Sequence, residues 1–347
     1  MLTLPGLIDP HVHLRTPGQE QKEDFFTGTS AAIAGGYTAV IDMPNNLQPI
    51  TDVERLNEKR EIARRQIVCD IGFHFGTLGD NLTEFKKVEA KVFGLKLYLN
   101  QTTGNYLLDE SHLGKIFSEW THKKPILVHA EETTFDKVLE VVKRYPRKVH
   151  LCHMSTEYEL RRIIEAKEQG LPVTCGVTPH HLFLEKGDED RLGAFGMMKP
   201  SLKPKSDVDF LWKHLVDVDM IESDHAPHTI EEKESSNPPF GVPGLETTLP
   251  LLLTAMHNGK LSFKEIERLC FEGPSNLLGI VQENTRVEID ENKEWEIKNE
   301  NLFTKCKWTP FNNTKVKGKI KSVYIRGTKV FENDIILVKE KFGKLLP

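Results

Sequence analysis

The stretch LPGLIDPHVHLR, residues 4–15, decides the fold and the chemistry to be expected of this chain. It runs from apolar residues into two histidines one residue apart, and an arginine follows two positions later. In an extended strand, side chains alternate between two faces, so His11 and His13 point the same way while Val12 points opposite. A strand with this pattern presents two imidazoles to one metal ion.

Size and composition fit one large domain with an appendage. A barrel of strand-helix units takes about 250 residues as one domain. The remainder of the 347 residues is enough for a small appendage. The chain is 38% apolar and 28% charged, as ordinary globular proteins are. Its net charge of −5 lacks the basic excess of proteins that bind a phosphate backbone, so we expect no nucleic-acid partner.

Cysteine usage and hydropathy predict a cytoplasmic location. The five cysteines form no CxxC pair and are odd in number, so they do not indicate a disulfide framework. Neither a signal peptide nor a run of eighteen apolar residues is predicted, and we therefore expect no membrane partner.

Short β-rich runs alternate with helix-like segments, which is typical of a parallel sheet in an α/β protein. Eight strands are the number that closes a barrel. The strands are expected at residues 7–14, 37–43, 67–75, 93–99, 126–130, 149–154, 173–177 and 220–224, and helices at 20–34, 52–65, 135–144, 156–169 and 207–216.

The pattern changes after Gly279. Alternating residues in KGKIKSVYIRGTKVFENDIILVK predict antiparallel strands with turns at RGTK and ENDI. Residues 283–307, rich in Asn and Lys, are expected to form an exposed connection. We therefore predict a (β/α)8 TIM barrel over residues 1–282 and a small β-rich appendage over residues 283–347.

Unusual polar residues recur where the predicted strands end, which is where barrel enzymes build their sites. Each alone has an ordinary explanation, such as a hydrogen-bonded core histidine or a helix cap. Together they predict a site for zinc-like ions, since imidazole and carboxylate ligate such ions and a catalytic site keeps a position for water. The set is His11, His13, Lys96, His129, His153 and Asp224.

Four histidines and one aspartate exceed the needs of a single zinc ion, so two ions fit the set better. Two cations a few ångströms apart need a negative group between them. Lys96 is the candidate, because a lysine carboxylated by carbon dioxide becomes an anion with one oxygen for each ion.

The motifs resemble those of the cyclic amidohydrolases, specifically the dihydroorotases. In chain order they are LPGLIDPHVHLRTPG, GGYTAVIDMPN, GLKLYLN, VHAE, CHMS, VTPHHLFL, SDHAPHT, GLETTLPLLLTA and WTPF, and they span nearly the whole chain. The short lead before HVH and the ending KWTPFNNTKVKGKIKSV are most similar to the dihydroorotase domain of the animal multifunctional pyrimidine-synthesis protein. The resemblance implies a barrel of the metal-dependent amidohydrolase type.

The resemblance also implies a reaction, the reversible closure of N-carbamoyl-L-aspartate to L-dihydroorotate with release of water, in de novo pyrimidine biosynthesis. It implies two divalent ions, zinc in the first instance, with a hydroxide between them and Asp224 as general acid and base. His11, His13, Lys96 and Asp224 would hold one ion, and carboxylated Lys96, His129 and His153 the other. Arg15, Asn45 and His228 would bind the substrate carboxylate, and Thr102 and Lys199 would be further substrate contacts.

Three positions depart from the multifunctional relative. That relative has a glutamate, associated with an additional zinc, where this chain has Gly176, so we expect about two ions per chain and no third. Lys199 stands near an arginine of the relative and keeps the charge without the planar fork, so substrate orientation should be less strict. Thr103 replaces a larger aromatic residue in the loop expected to close over the site, so closure should exclude water less well.

Two alternative functions stay open. An allantoinase-like or hydantoinase-like cyclic amidase would share the two-ion centre, although Arg15 favours a substrate with a free carboxylate. A catalytically weak scaffold that binds aspartate transcarbamoylase would also fit the fold, although all six expected ligands are present. As partners we expect a second copy of the chain and aspartate transcarbamoylase, because that enzyme makes carbamoyl aspartate.

Other acids and histidines are set apart from the site. Glu131 and Glu132 are interpreted as solvated acids at a helix start. Surface or core roles are expected for His74, His112, His122, His150, His214 and His257, whereas the roles of His180, His181 and His225 are left undecided.

Overall fold

The structure is a computed structural model in which residues 1–102 and 106–347 are described. Within them the strands are β1 (Leu2–Pro5), β2 (Leu7–Val12), β3 (Tyr37–Asp42), β4 (Asp70–Phe73), β5 (Phe75–Gly76), β6 (Leu95–Tyr98), β7 (Ile126–His129), β8 (Val149–Leu151), β9 (Val173–Val177), β10 (Met220–Ile221), β11 (Arg286–Glu296), β12 (Lys315–Ile325), β13 (Thr328–Glu332) and β14 (Ile335–Ile336).

The helices alternate with the parallel strands and then follow them. They are α1 (Phe25–Ala34), α2 (Val53–Gln66), α3 (Phe85–Val88), α4 (Leu113–Glu119), α5 (Glu132–Arg144), α6 (Glu157–Glu168), α7 (Pro179–Phe183), α8 (Asp188–Leu192), α9 (Lys205–Lys213), α10 (Ile230–Lys233), α11 (Leu245–His257), α12 (Phe263–Glu267) and α13 (Gly273–Leu278). Among the described residues, none of these helices combines the length and the apolar character needed to cross a bilayer.

The parallel strands close into a ring. β2, β3 and β4 pair in that order, and β5 to β10 pair with their neighbours in chain order. β4 and β5 form one chain path, since only His74 separates them. The ring closes where Val12 bridges His225 in parallel, and the N–H of His13 donates to the carbonyl of His225 at 2.8 Å. The predicted (β/α)8 barrel is therefore confirmed.

Each predicted strand contains an observed one, and the differences lie at the ends. The first helix shows why. Its predicted start at residue 20 is wrong, because the Asp24 side chain accepts from the N–H of Thr27 at 2.8 Å and caps a helix that begins at Phe25. Local hydrogen bonds of this kind set boundaries that hydrophobic periodicity does not resolve.

The appendage is an antiparallel sheet in the order β1-β11-β12-β13-β14. The predicted exposed connection over residues 283–307 is wrong, because β11 lies within it and buries Val287 and Ile289. The Asn and Lys bias of the segment conceals this alternation. The predicted turn at RGTK is confirmed, since Arg326 and Gly327 between β12 and β13 both have positive φ, as hairpin turns of type I′ require.

The predicted boundary between the barrel and the appendage at residue 282 remains a prediction. On the N-terminal side of that point, β1 pairs with β11 through Leu2 and Ile289, so the first strand lies in the same sheet as the C-terminal strands. The smaller apolar cluster that includes Trp308 also contains Met198 and Val242, which line the pocket described below. The appendage side of the molecule therefore supports one wall of the site.

Candidate functional site

The predicted metal-ligating residues meet at the carboxyl end of the barrel. His11 lies in β2, His129 ends β7, and the others follow their strands by a few residues, except Lys96, which lies within β6. One pocket is lined by His11, His13, His129, His153 and Asp224 together with Arg15, Asn45, Thr102, Lys199, Tyr98, His180 and Met198. It encloses about 450 Å³ not occupied by protein atoms, part of it open to solvent.

His11 and His13 face the same side of their strand, as the alternation predicts. Their Nε2 atoms lie 3.3 and 3.0 Å from Oδ1 of Asp224. The other ring nitrogen of His13 lies 2.7 Å from Oδ1 of Asn45. The two imidazoles therefore converge on one carboxylate, and Asn45 fixes the orientation of the second ring.

His129 and His153 form the other half of the cluster. Nδ1 of His129 lies 3.0 Å from Nε2 of His153, and its Nε2 lies 3.3 Å from Oε1 of Glu131. A carboxylate on the outer ring nitrogen is the usual way in which proteins orient a metal-binding histidine. Glu131 is therefore more than the solvated helix-start acid that the sequence suggests.

Lys96 lies beneath this cluster and is fully buried. Its Nζ donates to Sγ of Cys152 at 3.1 Å and lies 4.9 Å from the centre of the Tyr98 ring. Burial lowers the pKa of the neighbouring His11, His129 and His153 imidazoles, and the charge of Lys96 adds to this effect.

The electrostatics favour neutral imidazoles around an ionised carboxylate. Burial lowers the pKa of His11 to about 4 and also lowers that of His13. Burial alone would raise the pKa of Asp224, but its electrostatic interaction with the His11 ring and its hydrogen bond with His13 outweigh burial and hold that pKa well below its usual range. Neutral imidazole and ionised carboxylate are the forms that bind metal ions.

Three residues of the predicted site have left-handed backbone. The φ angles are 64° at Arg15, 42° at His153 and 44° at Asp224. Residues other than glycine adopt this region at a cost in free energy, and such strain concentrates at functional sites. No signal in the sequence identifies it.

Arg15 is buried at the side of the pocket. Its Nε donates to the carbonyl of Pro227 at 3.0 Å, and its terminal nitrogen lies 3.1 Å from Nε2 of His228. On the far side of His228, Lys22 pairs with Glu232 at 3.0 Å. The ion pairs of the described residues include none between Arg15 and a carboxylate, so this guanidinium lacks a direct anionic partner.

The structure places the predicted substrate contacts Arg15, Asn45, Thr102 and Lys199 around the same pocket, whereas His228 is not part of its lining. Thr102 and Lys199 line the pocket, and Lys199 Nζ lies 5.0 Å from the centre of the Phe240 ring. His228 lies behind Arg15. Thr103 falls outside the described residues.

Sequence reasoning missed Glu222 and Cys152. Glu222 is fully buried, with Oε2 3.2 Å from Nδ1 of His11 and Oε1 accepting from the N–H of His153. An acid directly after the apolar run of β10 is the signal that could have found it. All five cysteines are buried and form no disulfide bond in the described residues.

The histidines left undecided by the sequence have different positions. His180 lines the pocket, and its Nε2 is buried without a hydrogen-bond partner among the described residues. His181 Nε2 lies 3.0 Å from the carbonyl of Pro200, and His225 Nε2 lies 3.3 Å from Oε2 of Glu23. The last two therefore have hydrogen-bond partners away from the predicted metal-ligating cluster.

Comparisons with known proteins agree with this geometry. The amidohydrolase family matches residues 2–200. The multifunctional protein CAD of Squalus acanthias is 43% identical over 99% of this chain, although the chain spans only 16% of that protein's length. The dihydroorotase of Pyrococcus furiosus is 35% identical over 99% of this chain and 84% of its own.

A solved structure extends the likeness to the fold. The L-hydantoinase (dihydropyrimidinase) of Arthrobacter aurescens superposes with a TM-score of 0.95 over 99% of this chain and 88% of its own, at 24% identity. At this identity the likeness concerns the fold alone. The family match and the near-full-length dihydroorotase relative together mean that this chain belongs to the amidohydrolase family, among its dihydroorotases.

Proposed function

We propose that the protein is a dihydroorotase, which interconverts N-carbamoyl-L-aspartate and L-dihydroorotate. The observation that carries this proposal is the buried Arg15 guanidinium, which has no carboxylate partner in the described chain and lines the same pocket as the histidine cluster. An unneutralised buried charge is unfavourable unless a ligand supplies the opposite charge. Dihydroorotate carries a carboxylate, whereas the rings of hydantoin and allantoin do not require this arginine.

The donor set fits divalent ions. One ligand atom each of His11, His153 and Asp224 lies within 4.8 Å of the others, and this buried set is made of neutral imidazole and carboxylate. His11, His13 and Asp224 would hold one ion and His129 and His153 a second, and Lys96, once carboxylated, would supply a ligand to each. Zinc suits these ligands. When bound, such ions lower the pKa of water and polarise a carbonyl group.

Arg15 and Asn45 orient the substrate through its carboxylate. Arginine offers a planar pair of N–H donors, which matches the two carboxylate oxygens. Because Oδ1 of Asn45 faces Nδ1 of His13, the amide N–H2 of Asn45 remains as a donor for the substrate. His228 holds Arg15 in place by its ring contact. Lys199 adds a cationic side chain on another wall of the pocket.

Asp224 moves the proton. Held ionised between His11 and His13, its carboxylate accepts a proton from the attacking water in the hydrolytic direction and donates it to the departing ring nitrogen. In the synthetic direction the same carboxylate removes the proton from the carbamoyl nitrogen.

Substrate selectivity tests the proposal. The purified chain, supplied with zinc and bicarbonate, is assayed for ring opening of dihydroorotate, hydantoin and allantoin at equal concentrations. We expect hydrolysis of dihydroorotate to dominate and to weaken when Arg15 is replaced by methionine. Faster turnover of the rings without a carboxylate would favour the cyclic amidase alternative, and no turnover of any ring would favour the scaffold.

Partners and location remain part of the proposal. The match to a region of multifunctional CAD supports association with other enzymes of pyrimidine synthesis, and we propose aspartate transcarbamoylase and a second copy of this chain as partners. Light scattering of the chain alone and mixed with that enzyme measures both; an unchanged mass would contradict a stable complex. The unpaired cysteines support a cytoplasmic location.

A further inference from the structure

The ammonium of Lys233 is enclosed by protein close to the pocket, although Lys233 does not line it. This residue ends the short helix α10, and its side chain is fully buried. Its Nζ donates to the carbonyl of Pro239 at 2.9 Å and to those of Met197 and Gly241 at 3.2 Å each. An ammonium has three N–H donors, so each donor has a carbonyl acceptor. The ion pairs of the described residues include none between Lys233 and a carboxylate.

We propose that Lys233 is a positioning residue that holds one wall of the pocket in the conformation that binds substrate. We call this wall the loop wall and define it as residues 197–200 and 239–242. Its members that line the pocket include Lys199 and Phe240. Lys233 contacts the backbone of both segments, so it acts through them and does not touch the substrate itself. The inference rests on the proposed function, which assigns Lys199 to the substrate-binding residues.

The loop wall lacks the backbone pairing that fixes the barrel strands. Both of its segments lie outside the helices and strands of the described residues, and an isolated bridge from Val242 to His225 fixes one end of the second segment. Carbonyl groups in such loops depend on side chains or water for their hydrogen bonds. Lys233 therefore supplies donors where no strand ladder supplies them.

Three successive carbonyl groups of the loop wall are held by two side chains in alternation. Lys233 donates to those of Pro239 and Gly241. The carbonyl of Phe240 between them lies 2.9 Å from Nε2 of His228. This part of the backbone is therefore fixed by residues at the start and the end of one short stretch of chain, residues 228–233.

The two segments of the loop wall are joined at the same ammonium. The N–H of Gly241 donates to the carbonyl of Met197 at 3.0 Å, and this carbonyl also accepts from Lys233. Side chains add a second link, because Lys199 Nζ lies 5.0 Å from the centre of the Phe240 ring. Loss of the ammonium would therefore release both segments, and with them the cation that Lys199 places in the pocket.

Trp308 of the WTPF motif supports Lys233 from the C-terminal part of the chain. The centre of its ring lies 5.4 Å from the Lys233 ammonium, and its Nε1 donates to the carbonyl of His228 at 2.7 Å. A cation over an indole face is attracted by the ring. The proposed reaction uses no residue of this motif, and its place beside Lys233 connects it to the loop wall.

Kinetics of Lys233→Met test the positioning role. Methionine fills much of the same space but donates no hydrogen bond. With the full chain loaded with zinc in bicarbonate, we expect kcat/KM for dihydroorotate to fall about 10- to 100-fold, mainly through a rise in KM, because small displacements of substrate-positioning groups have effects of this size. The matched control is Lys167→Met. This half-buried lysine also donates to a backbone carbonyl, that of Asp217, but before the amino end of β10, so KM should stay unchanged.

Hydrogen exchange monitors the loop wall without turnover. Mass spectrometry of peptides that contain residues 197–200 and 239–242 should show faster amide exchange in Lys233→Met than in the unmodified chain or in Lys167→Met. The amide of Gly241 is the most informative, because its hydrogen bond to Met197 joins the two segments.

The outcomes separate this role from a general loss of stability and from the proposed function. An unchanged KM in Lys233→Met, a fall in kcat alone, or unchanged exchange would overturn the positioning role. An equal rise in KM in Lys167→Met would show a general effect and overturn it as well. No turnover of dihydroorotate by the unmodified chain would instead overturn the proposed function, and exchange alone would then decide whether Lys233 holds the loop wall.

A second variant covers the case in which Lys233→Met fails to fold by circular dichroism. Lys233→Gln has a shorter side chain and two N–H donors for three carbonyls, so it should raise KM to a smaller extent. An unchanged KM in folded Lys233→Gln would overturn the positioning role.

Discussion

The guanidinium of Arg15 lies 3.1 Å from Nε2 of His228, although 213 positions separate the two residues along the chain. The pair joins the loop after β2 to the loop after β10, at the closure of the barrel. Burial and, to a smaller extent, the charge of Arg15 lower the pKa of His228 to about 3. His228 is therefore neutral, so Arg15 carries the charge that faces the pocket.

Arg15→Lys should weaken substrate binding more than turnover. Lysine keeps the charge but loses the planar fork, so we expect KM for dihydroorotate to rise about 10- to 100-fold with a smaller change in kcat. Steady-state kinetics measure both constants. Arg161→Lys, at an exposed arginine of α6, is the control and should leave both unchanged. An unaltered KM in Arg15→Lys would contradict the carboxylate-binding role.

Asp224→Asn should abolish turnover while the protein stays folded. The amide cannot accept the proton, and loss of general acid-base catalysis alone lowers rates by about 10²- to 10⁴-fold. Asp209→Asn, an exposed acid of α9, provides the comparison. Circular dichroism and ring-opening assays on both variants check the prediction, and near-normal turnover in Asp224→Asn would disprove the assigned role.

Removal of bound metal should abolish activity reversibly, and Lys96 should be needed for its return. Chelated protein is expected to regain turnover with zinc and bicarbonate together. Lys96→Met should not regain it, because methionine cannot be carboxylated and the ligand between the ions is lost. Lys264→Met, on the short helix α12, is the control. Full recovery of Lys96→Met would exclude the carboxylated lysine.

Gly176→Ala should destabilise the protein through Glu222. The new Cβ would lie 2.7 Å from Oε1 of Glu222, and such overpacking typically costs about 1–3 kcal/mol. Urea denaturation measures the loss. The loss of stability caused by Gly176→Ala should be smaller in a Glu222→Ala background than in the unmodified chain, because the clashing carboxylate is then absent. Strict additivity of the two changes would show that the residues do not compete for space.

Glu246 should make stability depend on pH. Burial raises its pKa from 4.5 to about 7. This effect outweighs the hydrogen bonds that its carboxylate accepts from the N–H groups of Thr304 and Phe303, which lower the pKa. Because the folded state holds this proton more tightly, the associated stability is fully present below pH 4.5 and is lost as the pH rises through about 7. Glu246→Gln should flatten this dependence, by at most about 3 kcal/mol.

Denaturation of both proteins over this pH range tests the effect of Glu246. Glu58→Gln, at an exposed acid of α2, is the control and should keep the pH dependence of the unmodified chain. Parallel stability curves for Glu246→Gln and the unmodified chain would contradict a raised pKa at this position.

The sequence by itself determined the barrel and the positions of the expected ligands. Alternation within a strand is local, so HVH was enough to place His11 and His13 on one face. Polar residues at the ends of successive apolar runs were enough to bring the expected ligands to one edge, because parallel strands of a barrel share that edge. These patterns did not predict where helices begin. The start of α1, for example, depends on a single hydrogen bond at its N-terminus.

Only the tertiary structure decided which distant side chains touch. Glu222 contacts His11 across 211 positions, and β1 joins the sheet of β11. No repeating pattern in the sequence predicts either contact. Both depend on how distant parts of the chain pack together, and the position of Glu222 also depends on the space beside Gly176. The left-handed backbone at Asp224 likewise follows from the surrounding fold, because packing around the site must hold a conformation that the residue alone disfavours.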